Sequence, residues 1–253
     1  MMNQDKLLNE KNAIITGCSS GIGLEILRVY CENGANVWAF VRSLTEEFET
    51  EIRRLKDEYG CWIEVVPFDL LDADSIKHAV KAVSQAKKTV DILVNNAGIP
   101  CHKTLMMTSV KELQQVMNAN FIAPSLLMQL ISRLMARKKN GTIINITSRS
   151  GIEDRSGVYG YGSSKAALIW STKAAARELS DFNIRVNGIA PGLIETKMGS
   201  CSRSDEEIQE YVRKNDIKRP GTTREIANTA LFLASDLSSY ISGQIISVDG
   251  GRN

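Results

Sequence analysis

Tyr161 and Lys165 stand four residues apart in the run Tyr161-Gly162-Ser163-Ser164-Lys165, a spacing that puts both side chains on one face of a helix. A phenol with its usual pKa of about 10 is a sluggish acid or base at neutral pH, and a neighbouring ammonium favours the phenolate. The pair is therefore fitted to give and take a proton. Of the six tyrosines, only Tyr161 has a lysine at this distance. A second chemical signal is Thr16-Gly17-Cys18-Ser19-Ser20-Gly21-Ile22-Gly23. Glycines there let the backbone turn sharply and approach a pyrophosphate, whose charge suits the free N–H groups of a helix N-terminus. The spacing is G-x-x-x-G-x-G, and a plain tight turn is the alternative reading.

A third signal sits after the apolar run 37–41, where Arg42 and Ser43 follow with no carboxylate. In a dinucleotide fold an acidic residue at this place takes the ribose 2′-OH of NAD, whereas a basic one pairs with the 2′-phosphate of NADP. Arg42 can grip a phosphate with two N–H groups and Ser43 can add a hydroxyl, so NADP(H) is expected over NAD(H). The alternative for Arg42 is a solvated surface charge.

These residues need a frame. Short β-branched runs at 13–16, 37–41, 63–68, 92–95, 142–147, 186–190 and 244–248 alternate with segments of helical period at 21–33, 45–59, 73–87, 110–139, 161–182, 205–214 and 224–234. Most of the strands are continuously apolar, as strands covered on both faces are. The pattern predicts an α/β protein with a doubly wound, seven-stranded parallel sheet flanked by helices. No linker interrupts the alternation, so 1–253 reads as a single Rossmann domain, with a polar extension at about 1–10 and a substrate-side loop and helix at 193–215. A TIM barrel would suit the length equally; the glycine turn after the first strand decides for the Rossmann arrangement.

Composition narrows the function. The 253 residues carry 31 Lys+Arg against 29 Asp+Glu, and without a long basic run this excludes a protein built mainly to hold nucleic acid. The start is polar and no window reaches the ~20 apolar residues of a membrane span, which points to the cytoplasm. The five cysteines, Cys18, Cys31, Cys61, Cys101 and Cys201, are scattered and never in C-x-x-C spacing, which favours reduced thiols. His78 and His102 have no second ligand at metal spacing, so no metal site is expected.

The signals also fall in one order: the glycine turn, Asp69-Leu70 after the third strand, Asn95-Asn96-Ala97-Gly98 after the fourth, Asn120, Ser148 after the fifth, Tyr161 and Lys165, then Pro191-Gly192 with Thr196 after the sixth. From about Lys11 to Gly251 the chain resembles the short-chain dehydrogenase/reductase family. The resemblance implies hydride transfer between a nicotinamide and a CH–OH/C=O pair, a reaction that needs a proton donor and a second hydrogen bond at the oxygen. It implies that Tyr161 is that donor and Ser148 holds the oxygen, that Lys165 also touches the nicotinamide ribose, and that Asn120 keeps a relay water. It places Gly17, Ser19, Ser20, Gly21, Ile22 and Gly23 at the pyrophosphate, and Asp69 and Leu70 at the adenine. Asn96, Ala97 and Gly98 then lie along the cofactor, and Pro191, Gly192, Ile194 and Thr196 near the carboxamide. Local alternatives stay open: turn or helix hydrogen bonding for Ser148 and Asn120, a helix cap for Asp69, a turn for Gly98. The run Cys18-Ser19-Ser20 holds no basic residue, so the NADP expectation rests on Arg42. Glu153-Asp154-Arg155 adds charges to a loop expected to border the pocket.

Within the family, Asn187-Gly188-Ile189-Ala190-Pro191-Gly192-Leu193-Ile194-Glu195-Thr196-Lys197-Met198, Lys218-Arg219-Pro220-Gly221 and Val248-Asp249-Gly250-Gly251 are similar to 3-oxoacyl-acyl-carrier-protein reductases of fatty-acid synthesis. That likeness implies a carbonyl substrate carried on acyl carrier protein, for which Arg133, Arg137, Lys138, Lys139 and Arg177 are a candidate docking patch; a solvated helix end is the alternative. A sugar or polyol dehydrogenase and a non-catalytic NADP-binding regulator are the competing readings. The helices at 110–139 and 161–182 have more apolar surface than one sheet-facing stripe needs, which suggests oligomerisation; the resemblance implies a homotetramer through them.

Overall fold

The computed structural model describes residues 6–196 and 204–251. Lys197, Met198, Cys201 and most of the expected loop at 193–203 lie outside the described residues, as do residues 1–5 of the polar extension.

Seven parallel strands form one sheet: β1 (Asn12–Thr16), β2 (Asn36–Val41), β3 (Ile63–Pro67), β4 (Ile92–Asn95), β5 (Gly141–Ile146), β6 (Ile184–Pro191) and β7 (Ile245–Val248). Their order is β3-β2-β1-β4-β5-β6-β7. Chain direction across the sheet reverses between β1 and β4, and in such folds ligands bind in the crevice beyond the strand C-termini at that point. The strands are mainly apolar because successive side chains enter two different cores. Ala13, Ile15, Val37 and Ala39 pack on one face, and Ile14, Trp38, Phe40 and Leu93 on the other.

Helices α1 (Gly21–Glu32), α2 (Glu46–Tyr59) and α8 (Thr223–Ala234) cover the first face through Ile26, Leu55 and Ala230 among others. The buried Tyr30 hydroxyl of α1 donates to the Ala230 carbonyl of α8 at 3.1 Å. Helices α3 (Ala73–Gln85), α5 (Ala123–Ala136) and α6 (Tyr159–Glu178) cover the second face through Ile76, Leu127 and Ala176. Helix α7 (Asp205–Arg213) precedes α8.

Where the sequence pattern predicts one helix over 110–139, the chain forms α4 (Val110–Met117), a π-turn (Asn118–Ile122) and α5. The break has a local cause. The Ala123 N–H donates to Asn118, five residues back, and Pro124 has no N–H to offer the Asn120 carbonyl four residues back. Asn120 is thereby turned inward and fully buried. The basic cluster also finds its place. Arg137, Lys138 and Lys139 follow α5 and lead into the start of β5, and Lys138 pairs with Asp91 just ahead of β4. The cluster therefore sits at the strand N-terminal edge, opposite the edge where the switch point opens.

A polar ladder crosses the second core. Asn95 Nδ2 donates to Asn145 Oδ1 at 2.8 Å, Asn145 Nδ2 to Thr172 Oγ1 at 2.8 Å, and Thr172 Oγ1 to the Leu168 carbonyl at 2.7 Å. It ties β4, β5 and α6 together where no water reaches. Asn145→Ala leaves two buried polar groups without their partners, at about 1–3 kcal/mol each. Chemical denaturation should accordingly show a loss of roughly 2–6 kcal/mol relative to the parent; a loss under about 0.5 kcal/mol would contradict the ladder.

Candidate active site

A cavity of about 690 Å³ opens at the strand C-termini beside the switch point. Gly17, Ser19, Ser20, Gly21, Ile22, Arg42, Ser43, Asp69, Leu70, Asn96, Ala97, Gly98, Ser148, Tyr161, Lys165, Pro191, Gly192, Ile194 and Thr196 all line it. Of the residues singled out from sequence, Gly23 and Asn120 do not; they support it from behind.

The glycine turn is built for close backbone approach. Gly17 and Gly21 have φ of +66° and +56°, and a Cβ on Gly23 would meet the Gly17 carbonyl and Asn96 Nδ2 at 2.4 Å. Asn96 holds the turn against the end of β4, its Nδ2 donating to the carbonyls of Thr16 (2.9 Å) and Gly17 (3.1 Å). Helices α2, α3, α4, α7 and α8 are each capped by a side chain, from Thr45, Asp72, Ser109, Ser204 and Thr222. At α1 the capping residue Ser20 makes no such bond, and the first turn carries no acidic residue. Its N–H groups face the cavity, an arrangement that fits an anionic pyrophosphate. Cys18, inside the turn, is fully buried, and burial pushes its thiol up to about 12. It stays protonated.

At the other end of this wall, exposed Arg42 makes no ion pair among the described residues, and no carboxylate stands beside it at the tip of β2. Asp69 does not cap α3, a task that falls to Asp72. Its Oδ1 accepts instead from the Leu71 N–H at 2.9 Å, fixing the turn that brings Asp69 and Leu70 to the cavity.

The reacting groups converge beyond β5. Ser148 heads a short 3₁₀ turn (Arg149–Gly151), and its Oγ accepts from the Ser150 N–H at 3.1 Å. That use of the lone pairs leaves its O–H to donate. Two glycines press this turn onto α6: a Cβ on Gly151 would lie 2.7 Å from the Lys165 carbonyl carbon, and one on Gly162 would lie 2.6 Å from the Ser150 oxygen. Ser148 is thus located by direct backbone packing against the helix that carries Tyr161 and Lys165. The Lys165 Nζ lies 5.8 Å from the Tyr161 ring centre and donates to the Ile146 carbonyl at 2.8 Å. The lysine is almost wholly buried, and burial holds its ammonium down at about 8.

Asn120 clips this centre together. Its Oδ1 accepts from the Ile99 N–H at 2.8 Å, and its Nδ2 donates to the Ile99 carbonyl (2.9 Å) and Ser164 Oγ (3.1 Å). Both amide protons are spent inside the protein. Gly98 passes between: a Cβ there would sit 2.8 Å from Asn120 Oδ1 and 3.7 Å from Lys165 Nζ. On the β6 side, the Gly192 N–H donates to the Val248 carbonyl at 3.0 Å, and the Tyr211 hydroxyl of α7 approaches to 3.1 Å of where a Gly192 Cβ would be. Glu153, Asp154 and Arg155 line the cavity, as expected of the charged loop at its border, and Tyr211, Arg149 and His102 line it as well. No local motif marks the last three. Among the described residues, no helix is long and apolar enough to cross a membrane.

A parallel sheet with an uncapped glycine turn at its switch point, facing a Ser–Tyr–Lys cluster, defines a nucleotide-dependent oxidoreductase. The comparisons agree, and the chain belongs to the short-chain dehydrogenase/reductase family. A family model described as enoyl-(acyl carrier protein) reductase matches residues 17–253. Among curated relatives, the 3-oxoacyl-[acyl-carrier-protein] reductase FabG of Chlamydia trachomatis is 38% identical over 97% of this chain and 98% of its own. The protein of that name from Thermotoga maritima is 36% identical over 96% and 98%. A 7α-hydroxysteroid dehydrogenase solved with NADH and 7-oxo glycochenodeoxycholic acid superposes with a TM-score of 0.90 at 33% identity, covering 99% of this chain and 98% of that one. A putative NAD(P)-dependent gluconate 5-dehydrogenase of Beutenbergia cavernae, with bound NADP, gives 0.91 at 31%, covering 97% and 98%. The chain is thus an oxidoreductase of the CH–OH/C=O class with a nicotinamide cofactor.

The buried Lys165 has a pH consequence in the cofactor-free protein. Its pKa falls from 10.5 to about 8 on folding, so the unfolded chain binds more protons between those values and stability rises with pH across that window. Below pH 8 both states are protonated and this contribution is absent. Urea unfolding from pH 7.5 to 10 should show the parent gaining on Lys165→Met by on the order of a few kcal/mol. Parallel curves would contradict a buried ammonium.

Proposed function

We propose that the protein is an NADPH-dependent reductase of 3-oxoacyl thioesters, with Ser148, Tyr161 and Lys165 as its catalytic residues and Asn120 as their support. The observation that carries this reading is the Ser148 turn seated on α6, which brings a free hydroxyl and the Tyr161 phenol to one end of a cavity whose other end is an uncapped helix. A bound nicotinamide supplies the hydride. Ser148 donates a hydrogen bond to the substrate carbonyl, and Tyr161 gives its proton to the oxygen as negative charge develops there. The Lys165 ammonium stabilises the phenolate left behind, while the Ile146 carbonyl holds that ammonium in place. The Asn120 amide is fully engaged, so its contribution to a relay water is its main-chain carbonyl, which Pro124 leaves without the usual helical donor.

The residues fit the cofactor. Gly17 to Gly23 offer bare backbone and an open helix end to the pyrophosphate. Arg42 and Ser43 would meet the 2′-phosphate, and the exposed guanidinium, without an ion pair among the described residues, supports NADPH. Asp69 and Leu70 would meet the adenine, Asn96 to Gly98 the ribose side, and Pro191, Gly192, Ile194 and Thr196 the carboxamide. The relatives named as 3-oxoacyl reductases support the thioester substrate. The hydroxysteroid and gluconate dehydrogenases keep a sterol or polyol substrate as the second reading. The cluster at Arg137 lies at the far edge of the sheet from the cavity mouth.

Initial rates with NADPH and NADH against a panel of a 3-oxoacyl thioester, a steroid ketone and sugar ketones test cofactor and substrate together. The thioester with NADPH should lead, Arg42→Ala should erode the NADPH preference by about tenfold or more, and Tyr161→Phe should abolish turnover. A tenfold preference for NADH in the parent would overturn the cofactor reading.

The protein is further proposed to be a homotetramer built through α4–α5 and α6. Ile122 is 50% exposed and Trp170 73% exposed on these helices, large apolar surfaces that a second copy would cover. Light scattering at micromolar concentration should give a four-chain mass; a monomer would refute the assembly.

A further inference from the structure

The charged segment after Ser148 is a structural device. Arg149, adjacent to Ser148 in the chain, is only 15% exposed, and its Nε lies 3.0 Å from Asp249 Oδ2, itself 8% exposed, a charge contact rather than an aligned hydrogen bond. Its remaining nitrogens reach the Ser247 hydroxyl at 3.4 Å and the Glu153 carboxylate. One guanidinium therefore joins the Ser148 turn, the end of β7 and the loop that borders the cavity.

The segment it grips is a junction. A Cβ on Gly192 would lie 2.8 Å from the Asp249 Cα, so this stretch packs directly on the end of β6. The Ile217 N–H donates to the Gly250 carbonyl at 2.8 Å and the Asp216 N–H to the Gly251 carbonyl at 3.1 Å, so it also holds the chain leaving α7. Asp249 Oδ1 accepts from the Gly251 N–H at 3.1 Å and stiffens the turn. Three walls of the cavity meet at residues 247–251.

We propose that the Arg149–Asp249 pair is a positioning latch that sets Ser148 relative to the nicotinamide-side backbone at Gly192. The inference rests on the reading of Ser148 as the residue that binds the substrate oxygen. A buried ion pair is weak as a source of net stability, since apolar groups of similar size serve as well. Fixing geometry is what such a pair can add, and displacement of a reacting group by about 1 Å costs as much as 10²-fold in rate.

The test uses Arg149→Met, Arg149→Lys, Asp249→Asn and the double variant Arg149→Met/Asp249→Asn, with Ser148→Ala as reference, in the full-length enzyme. Turnover, KM, NADPH affinity by fluorescence and thermal midpoint are measured for each. Arg149→Met and Asp249→Asn should each lower kcat by about tenfold or more while NADPH affinity stays within about twofold. Arg149→Lys, which keeps a cation for Asp249 but not the fork, should fall between parent and Met. Removing both charges should recover the thermal midpoint lost in Arg149→Met but not kcat, with the two kcat losses non-additive. Unchanged kcat in Asp249→Asn, additive losses, or kcat recovering together with the midpoint would overturn the latch. If Arg149→Met fails to fold, Asp249→Asn and Arg149→Lys carry the same comparison. If Ser148→Ala retains full activity, it is the reading of the site that fails; if Ser148→Ala is inactive and the latch variants match the parent, the latch alone fails.

Discussion

Everything around the reacting centre is arranged by one demand, that of an ammonium group enclosed by protein. Lys165 Nζ has the Ile146 carbonyl as its anchor at 2.8 Å, and an ammonium so enclosed is costly unless it is hydrogen-bonded. The carbonyl is available because it lies at the last residue of β5, where the parallel ladder runs out. To reach it, α6 must lie close against the strand end, and close packing there forbids side chains on the intervening backbone. Gly98, Gly151 and Gly162 answer that demand, each at a place where a Cβ would come within 2.8 Å of a neighbouring atom. The same closeness that buries Lys165 presses the Ser148 turn onto the helix, so the burial of a charge and the placement of a hydroxyl are one geometric fact.

The opposite end of the cavity follows from a different economy of hydrogen bonds. Five helices spend a side-chain oxygen on their own first turn, whereas α1 leaves its N–H groups open, and its turn is held from behind by Asn96 instead. The Asn96 amide donates to the carbonyls of Thr16 and Gly17, and its main-chain N–H to the Thr16 hydroxyl at 3.0 Å. Rigidity therefore comes from the β4 end, and the donors stay available. A site that must bind an anion and also be preorganised is served by that division of labour.

Much of this was legible in one dimension. The seven strands appear within one or two residues of the apolar runs, because a strand buried on both faces needs continuous hydrophobicity. The glycine turn, Arg42 and Ser148 were legible because each follows a strand closely and all parallel strands end on one edge, and Tyr161 and Lys165 because their four-residue spacing marks one face of a helix. Three things were not. The π-turn at Asn118–Ile122 arises from a missing donor at Pro124 inside an otherwise helical pattern, and periodicity cannot register one inserted residue. The basic residues at Arg137 are near in sequence to the expected core helix, but which edge of the sheet they occupy depends on the direction of β5. Arg149 and Asp249 are a hundred positions apart, and their pairing exists only after β5, β6 and β7 have lined up.

The names of relatives differ in the bond they imply, from a carbon–carbon double bond in the enoyl reductase description to ketones and alcohols in the steroid, gluconate and 3-oxoacyl proteins. The site itself bears on this choice. On the proposed reading two hydroxyls, Ser148 and Tyr161, would serve a single atom that gains negative charge and then a proton, which describes a carbonyl oxygen. What distinguishes one ketone from another is left to the walls, and there the charge is mostly internal. Arg149 is engaged by Asp249 and Glu153, so of the charged residues at 149–155, Asp154 and Arg155 are those without an ion pair to a described residue. Ile99, Pro100 and Val158 line the same cavity with apolar surface. A substrate with an apolar chain and a polar or anionic end matches that division better than one with hydroxyls along its whole length, because a polyol would leave several of its donors against Ile99 and Val158 with nothing to bond.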